Sequence, residues 1–586
     1  MDPMLRRLPL AGFLACLTFP AAAQAQHATP AQDTWAVLSR PNTRTPTPTT
    51  GAITVEDLQS RLYRFAADSM QGRFMGTEGN AKGVEYIASE LRRLGLEPAG
   101  ENGTYFQTLP WMERQVDSTG TLTVGGAAFH VWADYVPRDQ GLGQRSIAGV
   151  PVVYGGDFAD SLGRLAPGAA AGKLVVLTYS GTIPGNSPGI PNRMLVNRGY
   201  PDAAGIAVVG LEALTPADLA GFRQASQYLQ RDGTPPSVPT YLYVSRPMAE
   251  RLLGAALPGL AIGAAGMPVG GTPAYSTRPS PVPARNVVAI LRGRDPALRN
   301  TYVAIGAHND HVGMGQPVAF DSQYVINHLY RPHGAESDTP DLTSEQAAEV
   351  NRILADVRRA SGGASARPDS IFNGADDDGS GSMGVLEIAE RYATLRERPR
   401  RSILFVWHVG EELGLFGSAY FTDHPTVPRD SIVAQLNVDM IGRGGPGDVT
   451  GTTLAGEPLH GSHDYLQLVG ARRISTQLGE WADAENRAGR HGLKFDYAMD
   501  ANGHPANIYC RSDHFEYARY NIPIIFFTTG GHADYHQVND EPQFIEYPHY
   551  ARVARYIGAL GLRVANARTR PVIDHPVADP NAQCQQ

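Results

Sequence analysis

Cysteine is scarce in this chain, 3 of 586 residues, which excludes the disulfide framework that holds small secreted domains together. Runs of Lys and Arg are lacking and the formal net charge is a modest −8, so nothing calls for nucleic acid or an anionic membrane as partner. Glycine and proline, 64 and 44 residues, stay below the level of a low-complexity chain. What remains is a globular protein too long for one core, and two or more domains are expected.

The N-terminus, MDPMLRRLPLAGFLACLTFPAAAQAQ, places Arg6 and Arg7 before an apolar stretch and ends it at Ala23-Gln24-Ala25. That is the tripartite pattern of a secretory signal, and its apolar part is too short to span a bilayer. Residues 1–25 are therefore expected to be removed and the protein exported to the periplasm or the medium. A lipoprotein reading through Cys16 would leave a very short apolar region, with Phe13 where leucine is usual. Export would leave Cys510 and Cys584, and the sequence leaves their pairing open.

Residues 26–52 are rich in Pro and Thr and read as a linker. Order is expected from Ile53, with Thr54 and Asp57 suited to capping a helix and Val84, Ile87, Ala88, Leu91 and Leu94 on one face of another. Residues 53–118 form the first part of a main domain. Between 119 and 283 the texture changes to short β-type runs such as VPVVYGG, KLVVLTY and AGIAVVGL, which suggests an inserted β-rich domain. The main domain resumes over 284–566, interrupted by an insertion at 312–372 in which Thr343 and Gln346 open a helix, and 567–586 is a tail.

In that second part the runs NVVAIL, YVAIGA, SILFVW, IVAQLNV and IPIIFF are short and almost wholly apolar. Such runs, alternating with helices, predict an α/β fold with a mostly parallel central sheet buried on both faces. Polar residues gather just past these runs: His308-Asn309-Asp310-His311, the triplet Asp376-Asp377-Asp378 before a helix, Glu411-Glu412, Asp439, and Tyr535-His536. The crevice beyond the carboxyl ends of the strands is where an open α/β sheet binds ligands. A single His-x-Asp is ordinarily a surface turn and a single Glu pair a solvated face. Five strand ends delivering His or carboxylate to one rim are not explained that way. Histidines and carboxylates without thiols suit a pair of divalent cations, Zn²⁺ first, with Mn²⁺ and Co²⁺ compatible. Two ions about 3.5–4 Å apart require a bridging anion, a role that suits an aspartate on a tight turn.

The segments GAHNDH, NGADDDGSGS, EELGLFGS, NVDMIG, SDHFEY and YHQVNDE occur in an order that resembles the dizinc aminopeptidases of metallopeptidase family 28, which include bacterial leucyl aminopeptidases and glutamate carboxypeptidase. The resemblance runs from about Ile53 to Leu562 outside the insertions, and it implies the phosphorylase/hydrolase-like fold of zinc exopeptidases. It implies that His308, Asp377 and Asp439 hold one zinc, and that Asp377, Glu412 and His536 hold the other. It makes Glu411 the general base, Asp310 the carboxylate that orients His308, and Tyr535 a residue that steadies the oxyanion. The β-rich insert looks like a protease-associated domain. Asn309, where an aromatic or aliphatic residue is frequent, and the long 312–372 insertion depart from the pattern.

The function implied is hydrolysis of N-terminal residues from peptide substrates. A carboxypeptidase or dipeptidase on the same scaffold would need a cation for the substrate carboxylate, and Arg443 is the candidate. A single-zinc glutaminyl cyclase-like acyltransferase and a non-enzymatic ectodomain are the other readings. The complete ligand set argues against both.

Overall fold

The computed structural model describes residues 34, 36–139, 143–182, 190–230, 233, 237–331, 341–360, 362 and 367–586. The expected signal segment lies outside them. Nine strands form the main sheet: β1 (Glu97–Pro98), β2 (Phe106–Thr108), β3 (Arg285–Leu291), β4 (Tyr302–His308), β5 (Ser402–His408), β6 (Ile432–Val438), β7 (Tyr465–Val469), β8 (Lys494–Asp496) and β9 (Ile524–Thr528). Their order in space is β1-β3-β5-β4-β6-β9-β7-β8, with β2 also paired to β3. The central four, β5, β4, β6 and β9, are parallel.

The NVVAIL run corrects the sequence expectation, because β3 lies antiparallel to β5. Its continuous apolar character reflects burial on both faces, and direction cannot be read from that. β7 is likewise antiparallel to β9.

Among the described residues, the α-helices from Val55 onward that lie outside the segment between β2 and β3 are α1 (Val55–Phe65), α2 (Glu78–Arg93), α3 (Phe320–Tyr330), α4 (Ser344–Ala360), α5 (Gly381–Ala393), α6 (Phe416–Asp423), α7 (Thr476–Ala488), α8 (His514–Ala518) and α9 (Tyr547–Asn566). Because strand side chains alternate, Val287, Ala289, Phe405 and Trp407 pack on one face against α1, α2, α5 and α9. Val288, Ile290, Leu404 and Val406 pack on the other, against Phe421 of α6 and Tyr517 of α8. The result is a helix–sheet–helix sandwich that buries both faces of the parallel strands.

Thr54 caps α1 by accepting the Asp57 N–H at 3.0 Å. Arg61, 1% exposed, then ties α1 to its neighbours through Glu387 and Glu390 of α5 and Glu90 of α2, the last at 2.8 Å. A buried guanidinium is tolerable only with such paired carboxylates.

The segment between β2 and β3 builds sheets of its own. Val152–Asp157, Leu174–Thr178, Gly205–Val209 and Thr240–Val244 are parallel neighbours in a six-stranded sheet. Their side chains form separate cores, around Leu174, Ala207 and Leu242 on one face and Val175, Ile206 and Tyr241 on the other. Trp111–Val116 pairs with Tyr275–Pro279 where the chain enters and leaves this unit. In the 312–372 insertion, Met314–Ala319 pairs with Pro368–Ile371 around α3 and α4. Thr343 and Gln346 form the expected reciprocal cap: the Thr343 N–H donates to Gln346 Oε1 at 2.8 Å and the Gln346 N–H to Thr343 Oγ1 at 3.3 Å. Among the described residues no helix is long and apolar enough to cross a membrane.

His514 at the start of α8 is fully buried and stacked on Phe526 at 4.7 Å. Burial pushes its imidazole down to about 3. The unfolded chain therefore binds a proton below about pH 6.5 that the folded chain refuses, and stability falls as pH drops from there toward 3, by up to about 1.4 kcal/mol per unit. His514→Phe should flatten this part of the curve of melting temperature against pH, measured between pH 4 and 7; an unchanged slope would remove His514 as its source.

Candidate metal centre

The turn NGADDDGSGS sends its three aspartates to three different places. Asp376 points inward, where Oδ1 accepts the Ser380 hydroxyl at 2.8 Å and the Gly442 N–H at 2.7 Å. Asp378 also serves the backbone: Oδ1 accepts the N–H groups of Gly381 and Met440 at 2.9 and 3.1 Å, and Oδ2 that of His308 at 3.0 Å. It thereby joins the start of α5 to the ends of β4 and β6. Gly381 must be glycine for this, since a Cβ there would lie 2.2 Å from both Asp378 Oδ1 and the Val438 carbonyl oxygen. The Asp377–Asp378 peptide is cis.

With its neighbours so engaged, Asp377 faces the rim. Its Oδ1 lies 3.1 Å from His308 Nε2 and its Oδ2 lies 3.0 Å from His536 Nε2. Asp439, just past β6, stands 3.7 Å from His308 Nε2 on the first side, and Glu412 stands 3.0 Å from His536 Nε2 on the second. Glu411 Oε2 is 4.0 Å from His308 Nε2. The strand ends thus bring His308, Asp377, Glu411, Glu412, Asp439 and His536 together. Tyr535 lies against His536, ring centroids 3.9 Å apart, and lines the adjoining pocket with Asp377 and Glu411. Asp310 reaches His308 in an unexpected way: the shorter contact of the ring Nδ1 is with the Asp310 carbonyl oxygen, 3.2 Å, while the carboxylate is 3.7 Å away. That carboxylate also accepts the Glu411 N–H at 3.3 Å.

Other contributors went unassigned in the sequence. Ser512, in SDHFEY, donates to Asp439 Oδ2 at 2.7 Å. Asp540, in YHQVNDE, accepts the N–H groups of Asp376 and Asp377 at 2.9 and 3.1 Å and so fixes the turn. His311, in GAHNDH, is fully buried with Nδ1 2.7 Å from Glu412 Oε1. Each lay inside a quoted segment, but its contact depends on distant chain. The insertion also participates: α3 holds the loop that carries His536, through Asn327 and His328 to Asp534 at 3.3 and 3.1 Å and Gln323 to Gln537 at 3.0 Å. Arg443 is buried, with contacts of 3.2 and 3.3 Å to Asp448 and Asp534, and is occupied structurally.

The electrostatics of the site are set by burial and by the close approach of carboxylates and imidazoles. Burial, then the adjacent Glu412 and Asp439 carboxylates, push Glu411 well up, against the pull of His308. Burial would raise Asp377 too, but its contacts with His308 and His536 hold it well below the usual carboxylate range. His308 Nε2 and Asp377 Oδ2 are buried without hydrogen-bond partners. Clustered carboxylates with inward-facing imidazoles and unsatisfied donor atoms fit divalent metal. Among the described residues, two groups have ligand atoms within 4.8 Å of one another: His311, Asp377, Glu412 and His536; and His308, Asp378 and Asp439. In the second, the oxygens of Asp378 are taken by backbone N–H groups, and Asp377 is the carboxylate that faces His308.

An α/β sheet that presents His and carboxylate groups at the ends of its parallel strands offers the donor types that divalent metals take. Residues 286–561 match the model of Peptidase family M28. Leupeptin-inactivating enzyme 1 of Streptomyces exfoliatus is 42% identical over 82 residues, 14% of this chain and 19% of that protein. An aminopeptidase of Pseudomonas aeruginosa is 34% identical over 132 residues, 20% of this chain and 24% of that one. The matches span about a fifth to a quarter of the length of these relatives. Among solved structures, an aminopeptidase from Aneurinibacillus sp. strain AM-1 is similar at 16% identity and a TM-score of 0.42, covering 89% of this chain and 97% of that one.

Removing the Ser512 hydroxyl should leave the fold intact and loosen Asp439. Ser512→Ala is expected to weaken binding of one divalent ion by about 10–100-fold in a chelator competition titration; unchanged affinity would show that Ser512 does not set the Asp439 geometry.

Proposed function

We propose that this protein is an exported two-zinc aminopeptidase that removes N-terminal residues from peptides. The observation that carries this reading is the placement of Asp377, one oxygen toward His308 and Asp439 and the other toward His536 and Glu412, with Glu411 beside them. His308, Asp377 and Asp439 would hold one ion, and Asp377, Glu412 and His536 the other. Bound zinc would supply Lewis acidity and positive charge at the rim.

The chain's own groups account for the proton traffic. Glu411, buried among carboxylates and held above its ordinary range, is disposed to accept a proton from the attacking water and pass it to the leaving amine nitrogen. Its backbone is fixed through Asp310, which also lies against His308. The Tyr535 phenol, kept protonated by burial, is placed to donate to the oxyanion as the carbonyl becomes tetrahedral. Beside these groups a pocket of about 80 Å³ is walled by Met440, Val449, Met499, Ile508 and Phe526, which suits an apolar side chain on the first residue. The carboxypeptidase reading loses its candidate cation, because Arg443 is buried against Asp448 and Asp534. The segment between β2 and β3 is read as a protease-associated-like domain.

The test is a panel of aminoacyl amides, N-blocked peptides and dipeptides with free C-termini, offered to the zinc-loaded protein. Cleavage confined to substrates with a free amine is expected; turnover of N-blocked peptides would reverse the direction. Glu411→Gln should keep its metal content yet lower kcat by about 10²–10⁴-fold, and a wild-type rate would remove Glu411 from the base role. Asp377→Ala should lose metal as well as activity, so a variant that retained both ions would contradict the bridge.

A further inference from the structure

The two sides of the centre are not equivalent. On the side of His308 the inward-facing donors are one imidazole and the carboxylates of Asp377 and Asp439. On the side of His536 there is a further imidazole, His311, which none of the expected ligand assignments uses. Its Nδ1 lies 2.7 Å from Glu412 Oε1 and 3.6 Å from Asp377 Oδ2, on the face of those carboxylates that His536 also meets. The His311 and His536 rings stand edge to face with centroids 5.4 Å apart. Donor atoms of His311, Asp377, Glu412 and His536 all lie within 4.8 Å of one another.

The position of His311 is built. Its backbone N–H donates to the Arg73 carbonyl oxygen at 3.2 Å, and the Arg73 guanidinium donates to the carbonyls of Asn373 and Gly374 at 2.6 and 2.8 Å. Gly374, at φ +54°, carries the turn past the ring: a Cβ there would lie 2.5 Å from His311 Cγ and Cδ2. The ring is fully buried and its Nε2 has no partner, so its polar engagement is with the two carboxylates.

We infer that His311 is a fourth protein ligand, through Nδ1, to the metal ion held by Asp377, Glu412 and His536. This rests on the reading of the centre as a two-ion site. Four protein donors, two imidazoles and two carboxylates, make a closed tetrahedral set of the kind that retains zinc, whereas three donors leave a position open to water or substrate. The two ions then divide their work. The one beside His536 is the tightly kept, structural ion, and the one beside His308 is the exchangeable ion with an open coordination position.

The experiment is zinc stoichiometry and affinity in a graded series of chelator-buffered zinc solutions, for wild type, His311→Ala and His311→Asn. The visible absorption of the Co²⁺-loaded forms is recorded alongside. Wild type is expected to hold two ions of unequal affinity, and His311→Ala to weaken the tighter one by more than the roughly 10–100-fold typical of losing an orienting partner. His311→Asn can still donate to Glu412 but offers no imidazole, so it should behave like the alanine variant, with the ligand-field bands of one Co²⁺ changed in both. Unchanged affinity in His311→Ala, or restoration of wild-type affinity and bands by asparagine, would overturn the proposal and leave His311 as a group that orients Glu412. A wild type that binds fewer than two ions would instead undo the two-ion reading, so the two failures are distinguishable. Far-UV circular dichroism of the metal-free forms establishes that both variants are folded.

Discussion

Three carboxylates in succession can coexist in a buried turn only if each has its own compensation. Here Asp376 is paid for by Ser380 and the Gly442 N–H, and Asp378 by the N–H groups of His308, Gly381 and Met440. Those contacts are also the joints between β4, β6 and the start of α5. The constraint therefore runs in both directions: the outer aspartates hold the strand ends in register, and the strand ends turn the middle one outward. Repulsion within the triplet would otherwise open the turn, and with it the spacing of every group that faces Asp377.

Much of this was legible in the sequence for a simple reason. Short apolar runs ending in His or carboxylate identify strand ends at a sheet edge without knowledge of the sheet, whereas the choice of Asp377 within the triplet was implied by the family resemblance alone. Helix caps at Thr54 and at Thr343 with Gln346 are local and could be read locally. Strand direction could not: β3 has the composition of a parallel strand yet lies antiparallel, because burial on both faces is the same in either sense. His311, Ser512 and Asp540 were hidden for a different reason. Each acts on a residue from a distant part of the chain, Glu412, Asp439 and the Asp triplet respectively, and nothing in a local window reports such a meeting. Arg443 shows the converse, a cation well placed in sequence but spent on Asp448 and Asp534 in space.

The insertions relate to the centre in different ways. The segment between β2 and β3 carries cores of its own and meets the main domain through the paired strands at its root. The 312–372 insertion is tied directly to the loop that presents Tyr535 and His536, through Gln323, Asn327 and His328. The loop that carries His536 is anchored from outside the sheet by α3. Variation in α3 would thus reach the centre through a hinge of hydrogen bonds even though none of its side chains enters the ligand set.

The Cys510–Cys584 disulfide joins residues 74 apart in sequence. Cys510 stands two residues before Ser512, the hydroxyl that holds Asp439, and close to Ile508 in the pocket wall. On the loop-entropy view a cross-link of this span disfavours the unfolded chain by about 4 kcal/mol. Its persistence depends on an oxidising environment. The redox poise of the surroundings is thereby linked to the segment beside the pocket wall: in a reducing compartment the same chain would lose the covalent brace next to Ser512.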